Sequence, residues 1–194
     1  MKLTIIYIME KQKLLLHSCC GPCSTSVIER LQKIYDITVY YYNPNIEPDT
    51  EFQKRLKCQK DYIKNHLLDV SFIAGDWEND VFENAIKGLE EEPEGGKRCE
   101  QCFIVRLEKT AQLAKEKGFN LFATTLSVSP HKNAQLINEI GTMLSEKYGV
   151  QYLVSDFKKQ DGYLRSIQLS KNYNLYRQNY CGCQYSNWNL QTKG

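Results

Sequence analysis

A chain of 194 residues is long enough to bury a core without disulfide staples and short enough to form one domain. With 42% hydrophobic and 25% charged residues it lies near the average of soluble globular proteins, which excludes disordered and fibrous classes. A formal net charge of +2 is too small to announce nucleic-acid binding, although a local basic patch can hide inside a balanced total.

The apolar stretch near the start, Leu3–Met9, falls far short of the roughly 20 residues that span a bilayer, and no small-residue cleavage site follows it. The expectation is a cytoplasmic protein with no membrane contact. In that reducing compartment the eight cysteines and their close spacings are a metal signal, and the fold reads as independent of disulfides.

Lys13-Leu14-Leu15-Leu16-His17-Ser18 is a short apolar run ending at a Cys/Gly/Pro cluster, and Ser24 to Ile34 then carries apolar residues at helical spacing. This predicts strand, sharp turn, helix. Ile37–Tyr42 is β-branched and aromatic and stops at Asn43-Pro44-Asn45, a second strand. Asp49 is a predicted N-cap for a helix running to Leu67, and Val70–Ala74 a third strand. Trp77 to Leu89 has helical character, and the run Glu90-Glu91-Glu92-Pro93-Glu94-Gly95-Gly96 predicts an acidic loop that delivers Cys99.

After Cys102, apolar positions at Phe103, Leu107, Ala111 and Ala114 predict a helix that stops at Gly118. Leu121–Leu126 is a fourth strand, Ala134–Tyr148 a helix and Gln151–Val154 a fifth strand. From Asp161 the tail, residues 161–194, is polar and aromatic with weaker period, and contributes to the site. About five strands separated by helices argue a single α/β domain over 1–194 with a parallel sheet. In such sheets ligands collect beyond the carboxyl ends of the strands. Those ends carry Cys19-Cys20-Gly21-Pro22-Cys23, Asn43-Pro44-Asn45 and Ser127-Val128-Ser129-Pro130-His131-Lys132-Asn133.

The sequence Cys20-Gly21-Pro22-Cys23 alone fits a redox dithiol, half a zinc site or cluster ligands. Cys19, Cys99, Cys102, Cys181 and Cys183 bring the grouped thiols to seven, more than one zinc or one cubane cluster uses. Spacing leaves structural zinc, iron–sulfur and dithiol chemistry all open. The position of the first group at a strand-to-helix turn favours a catalytic centre. Cys58, inside a predicted helix, reads as a structural cysteine, and His17 as a structural histidine.

Among other polar residues, Asp156 and Asp76 follow predicted strands and are candidate carboxylates for a second metal, each with an N-cap or solvated loop as the plainer reading. Ser129 and Lys132 sit in a hydroxyl-rich strand end suited to phosphate or sugar, or to capping a helix. Arg165, Lys171, Tyr173, Tyr176, Arg177 and Tyr180 interleave cations with rings, as suits phosphates and unpaired bases or an amphipathic terminal helix.

His17-Ser18-Cys19-Cys20-Gly21-Pro22-Cys23-Ser24 resembles the N-terminal signature of the cobalamin-independent epoxyqueuosine reductases, the QueH family. Later blocks follow in order: Tyr42-Asn43-Pro44-Asn45-Ile46, Glu92-Pro93-Glu94-Gly95-Gly96 with Arg98-Cys99 and Cys102, Thr124-Thr125-Leu126 with Ser129-Pro130, and Asp156-Phe157-Lys158-Lys159. Gly162-Tyr163-Leu164-Arg165-Ser166, Leu175-Tyr176-Arg177-Gln178 and Tyr180-Cys181-Gly182-Cys183 complete the resemblance over nearly the whole chain.

That resemblance implies a nucleotide α-hydrolase-like (HUP-like) three-layer fold with the cysteines at the C-terminal edge of the strands. It implies an enzyme that reduces epoxyqueuosine to queuosine at the wobble position of tRNA, using a [4Fe-4S] cluster and an adjacent second iron. Carried onto this chain, the ligands are Cys19, Cys20, Cys23, Cys99, Cys102, Cys181 and Cys183, with Asp156 as the carboxylate. Asn43, Asn45, Ser129, Lys132, Arg165, Tyr176 and Arg177 are expected at the tRNA, and Cys19, Cys20 and Tyr163 at the chemistry.

Deoxygenating an epoxide to an alkene takes two electrons and two protons and releases water, so an external electron donor is a required partner. Thiols, Tyr163 and water are the candidate proton sources. A zinc-stabilised RNA-binding module without redox activity is the rival reading. ATP-dependent tRNA thiolation asks for a Gly-rich pyrophosphate loop after the first strand, where Ser18-Cys19-Cys20-Gly21-Pro22-Cys23-Ser24 stands instead.

Overall fold

A computed structural model describes residues 10–186, so the apolar stretch Leu3–Met9 and the last eight positions of the tail lie outside the described residues. Five strands form one parallel sheet in the order β3-β2-β1-β4-β5: β1 Lys13–Ser18, β2 Asp36–Tyr41, β3 Ser71–Ala74, β4 Leu121–Thr124 and β5 Gln151–Tyr152. The helices are α1 Gly21–Leu31, α2 Asp49–His66, α3 Asn79–Ala85, α4 Lys97–Glu116, α5 Ala134–Tyr148 and α6 Gly162–Asn172. This is the expected α/β architecture. No described helix is long and apolar enough to cross a membrane.

The central strand β1 is buried on both sides because its residues alternate faces. Leu14 and Leu16 join Val27 and Ile28 of α1, Val39 of β2 and Tyr62 and Ile63 of α2 in one core. Leu15 points the other way and joins Phe103, Leu107 and Ala111 of α4 with Ile137 and Ile140 of α5. Three layers result, with α6 packed on α1. The chain leaves β3 for the far side of β1 through α3 and α4, so the order reverses beside β1, the switch point at which open sheets bind ligands.

Several boundaries differ from the sequence expectation, each for a local reason. The first helix begins at Gly21 rather than Ser24 and ends at Leu31, because Pro22 sits in its first turn, where a missing N–H is harmless. Pro48 occupies the N-cap position of α2, and Asp49 is its first helical residue. α3 stops at Ala85, short of Leu89, before Gly88 turns the chain at a φ of 83°. β4 ends at Thr124 and a short 3-10 turn covers Thr125–Val128. β5 stops at Tyr152, and Val154 beyond it is 62% exposed.

Two corrections bear on the site. α4 starts at Lys97, so Cys99 and Cys102 stand in its first two turns and the acidic loop ends just before them. Buried Arg98 stabilises that start by donating to the carbonyls of Glu90 and Glu92. The tail also has a regular opening, the helix α6. Gly162 at its start is required by close approach, since a Cβ there would sit 1.9 Å from the Phe157 carbonyl oxygen.

Candidate metal centre

β1 delivers Cys19 and Cys20 at its carboxyl end, and α1 carries Cys23 in its first turn with Cys20 as the N-cap residue. The three sulfurs lie within 4.8 Å of one another. Cys19 and Cys20 are 3.9 Å apart at Sγ. Thr125 accepts from the Cys19 backbone N–H at 3.3 Å and lies 3.6 Å from its sulfur. The positive end of α1 faces this trio, a setting that offsets part of the cost of holding negative charge there.

A buried polar scaffold holds the turn. Ser18 donates to Gln59 of α2 at 2.6 Å, and Gln59 donates to Ser24 at 3.0 Å. Asn43 donates to the Ser18 carbonyl at 2.9 Å. His17, fully buried, meets Thr124 through Nδ1 at 2.8 Å and the Tyr42 carbonyl through Nε2 at 3.0 Å, the structural role expected of it. Cys58 packs against the same turn, its sulfur 3.3 Å from where a Cβ on Gly21 would stand.

The other four grouped thiols come from α4 and the tail. Cys99 receives the Gly95 backbone N–H at 3.2 Å. Cys102 and Cys183 share a small core with Phe82 and Ile86. Cys181 and Cys183 flank Gly182, whose carbonyl accepts from the Glu47 N–H at 2.9 Å. Among the described residues Cys19, Cys20 and Cys23 alone form a tight triple of ligand atoms, so this second group is looser.

The two groups meet at a cavity of about 750 Å³ whose wall includes Cys19, Cys23 and Cys181. Ser129, Lys132, Tyr163 and Arg177, all expected near substrate or chemistry, line it as well. Arg177 lies 5.5 Å over the Tyr163 ring. Arg55, Arg106 and Glu94 also line it and were not among the expected site residues. The spacing from Cys102 to Arg106 puts both on one helical face and was a legible hint for the latter. Arg55 and Glu94 carry no such mark.

Other expected residues stand apart. Asn43 and Asn45 are buried and do not line the cavity; Asn43 instead ties the Ser18 carbonyl to Arg106. Arg165 pairs with Glu29 at 2.7 Å on the surface. Tyr176 reaches Glu51 at 3.1 Å beneath Lys54. Asp156 pairs with Lys158 at 3.1 Å, and Asp76 is exposed; neither lines the cavity.

Hydrogen bonds from Cys20 and Cys23 hold the Cys19 thiol well below its ordinary range, and the charges of Lys132 and Arg106 act in the same direction. The same contact with Cys19 pushes Cys20 up to about 12 and Cys23 well above its usual value. Burial raises Cys99, and pushes Cys102 up to about 11 and Cys183 up to about 12. Against the pull of burial, the sulfurs of Cys181, Cys19 and Cys23 hold Lys132 charged. Most of these thiols therefore ionise only beside added positive charge, which a metal ion supplies.

Residues 14–189 match the family model described as epoxyqueuosine reductase QueH. A protein of that name from Staphylococcus epidermidis is 46% identical over 183 residues, covering 91% of this chain and 77% of the relative. One from Streptococcus pyogenes serotype M1 is 44% identical over 180 residues, covering 91% and 71%. One from Thermotoga maritima is 39% identical over 176 residues, covering 89% and 88%.

Proposed function

The chain belongs to the epoxyqueuosine reductase QueH family, and from that premise we propose that it deoxygenates epoxyqueuosine to queuosine in the wobble position of tRNA, at the cavity between its two cysteine groups. It is an oxidoreductase. The observation that carries the assignment of the site is the convergence of Cys19, Cys23 and Cys181, from opposite ends of the chain, on one cavity that also holds Lys132 and Arg177. A tRNA substrate supports a cytoplasmic location.

The residues fit a sulfur-ligated metal. Three sulfurs within 4.8 Å at a helix N-terminus are a ligand set, and seven grouped thiols suffice for more than one centre. Cys19, Cys20, Cys23, Cys99, Cys102, Cys181 and Cys183 would hold a [4Fe-4S] cluster and a second iron. When bound, that assembly supplies single electrons and a Lewis-acid position.

The chain's own groups do the rest. Lys132 and Arg177 bring positive charge to a site that must accept a phosphate-linked nucleoside. The Tyr163 phenol is our candidate to hand a proton to the oxygen that leaves as water, a reading supported by its position in the cavity lining. Arg177 lies over the Tyr163 ring and adds a cation beside it.

Anaerobic purification with iron, sulfide and zinc analysis tests the reading, followed by assay on tRNA carrying epoxyqueuosine with a chemical reductant. Iron with acid-labile sulfide and conversion of the tRNA are expected, with conversion lost in Cys20→Ser and in Cys99→Ser. Zinc at one per chain without sulfide sinks the cluster assignment. Activity that survives both substitutions removes the site.

A further inference from the structure

Two arginines are buried to the same degree at this cavity, each 2% exposed, and their partners differ in kind. Arg55 has a carboxylate, Glu51, at 2.6 Å. Arg106 pairs with none among the described residues. Its Nη2 donates to the neutral Asn43 amide oxygen at 2.5 Å and its Nη1 points at the Cys102 sulfur at 3.8 Å, while its Nε has no partner. A guanidinium keeps its proton at any working pH, so this is a fixed positive charge taken out of water with no protein carboxylate to offset it.

Such a charge is retained where the offsetting negative charge belongs to what the site holds. Arg106 stands on α4 one turn after Cys102, which belongs to one cysteine group. It lines the cavity with Cys19 of the other group and with Cys181. Every sulfur ligand enters as thiolate, and each electron the site accepts adds further negative charge beside the guanidinium.

We propose that Arg106 is the fixed counter-charge of the metal centre, a positioning residue that holds the thiolate set together and makes the centre easier to reduce. This rests on the iron–sulfur reading above. Asn43 is part of the device, because its amide aims the guanidinium and, being neutral, leaves the charge undiminished.

The test compares the full chain as wild type, Arg106→Gln, Arg106→Lys and Asn43→Asp, each purified anaerobically and titrated with dithionite while the cluster spectrum is followed. In Arg106→Gln with wild-type iron and sulfide, the reduction equilibrium moves at least tenfold toward the oxidised form, ~59 mV for a one-electron couple. Arg106→Lys, which keeps the charge, recovers most of that shift. Asn43→Asp, which sets a carboxylate against the guanidinium, shifts the equilibrium in the same direction as the glutamine variant.

A loaded Arg106→Gln protein whose equilibrium stays within twofold of wild type overturns the proposal. If Arg106→Gln takes up no iron, the lysine variant decides: uptake restored by lysine supports a requirement for charge, and uptake lost in both overturns it. Wild type without iron and sulfide is a different outcome, which fails the iron–sulfur reading itself.

Discussion

Arg55 donates from Nη1 to the Cys181 carbonyl at 2.8 Å, which latches the turn bearing two thiols onto α2. Gly182 makes the latch possible. Its φ of 104° is one that other residues rarely adopt, and a Cβ there would meet Arg55 Nη1 at 2.8 Å. Gly182→Ala therefore strains the turn by about 1–3 kcal/mol. The expected result is faster alkylation of Cys181 and Cys183 in the metal-free protein, read residue by residue by mass spectrometry, with Cys19, Cys20 and Cys23 unchanged. Equal rates at all five would refute the latch.

The Gln59 side chain, fully buried, is the bridge between Ser18 and Ser24 under the first cysteine group. Gln59→Leu keeps the volume and leaves two buried hydroxyls short of a partner, which costs about 1–3 kcal/mol. At roughly 2–4 °C per kcal/mol for a chain of this size, the thermal midpoint should fall measurably. An unchanged midpoint would mean that the serines re-pair locally with the carbonyls of Cys20 and Gly21, which each already reaches.

What the sequence made legible follows its local physics. The apolar run Leu14–Leu16 closing on a Cys/Gly/Pro cluster marked the first strand and the trio that follows it, because both are encoded within about a dozen residues, while the helix start was read three residues late. The start of α4 was hidden, since an acidic Gly-rich run precedes it and its anchor is Arg98 reaching back to the carbonyls of Glu90 and Glu92. β5 reads two residues too long because apolar character persists past the ladder at the sheet edge, where Leu153 and Val154 follow Tyr152. The role of Arg55 was illegible, since its contact to Cys181 spans 126 positions, and for Arg106 the helical spacing from Cys102 hinted at the place but not at the contact to Asn43, which spans 63.

Carboxylate chemistry at the site separates by place. Glu94 is the one carboxylate on the cavity wall among the described residues, while Asp156 is ion-paired to Lys158 away from it. On the proposed metal centre, Glu94→Gln is expected to lower the metal bound, or the rate of tRNA conversion, by tenfold or more. Asp156→Asn is expected to leave iron content intact and to change stability by under about 1 kcal/mol, as for a partly exposed ion pair. Iron analysis and single-turnover assays of the two variants decide between the carboxylates; loss of iron in Asp156→Asn alone would make Asp156 the ligand.

His17 carries a pH dependence whose sign follows from its burial. Burial, helped by the nearby Arg106 charge, lowers it from 6.5 to about 3 in the folded protein. Nε2–H donates to the Tyr42 carbonyl, so Nδ1 accepts from the Thr124 hydroxyl and the ring is neutral. Between those two values the unfolded chain binds a proton that the folded chain does not. The stability tied to the neutral ring is therefore fully present above about pH 6.5 and is lost as the pH falls toward about 3. The slope is at most about 1.4 kcal/mol per pH unit. Urea titrations of the metal-free protein at pH 7 and pH 5 should show wild type losing up to about 2 kcal/mol more than His17→Gln over that interval. The cysteines and carboxylates are common to both proteins and cancel in the difference, so equal losses would mean that the imidazole takes up its proton as readily in the fold as in the unfolded chain.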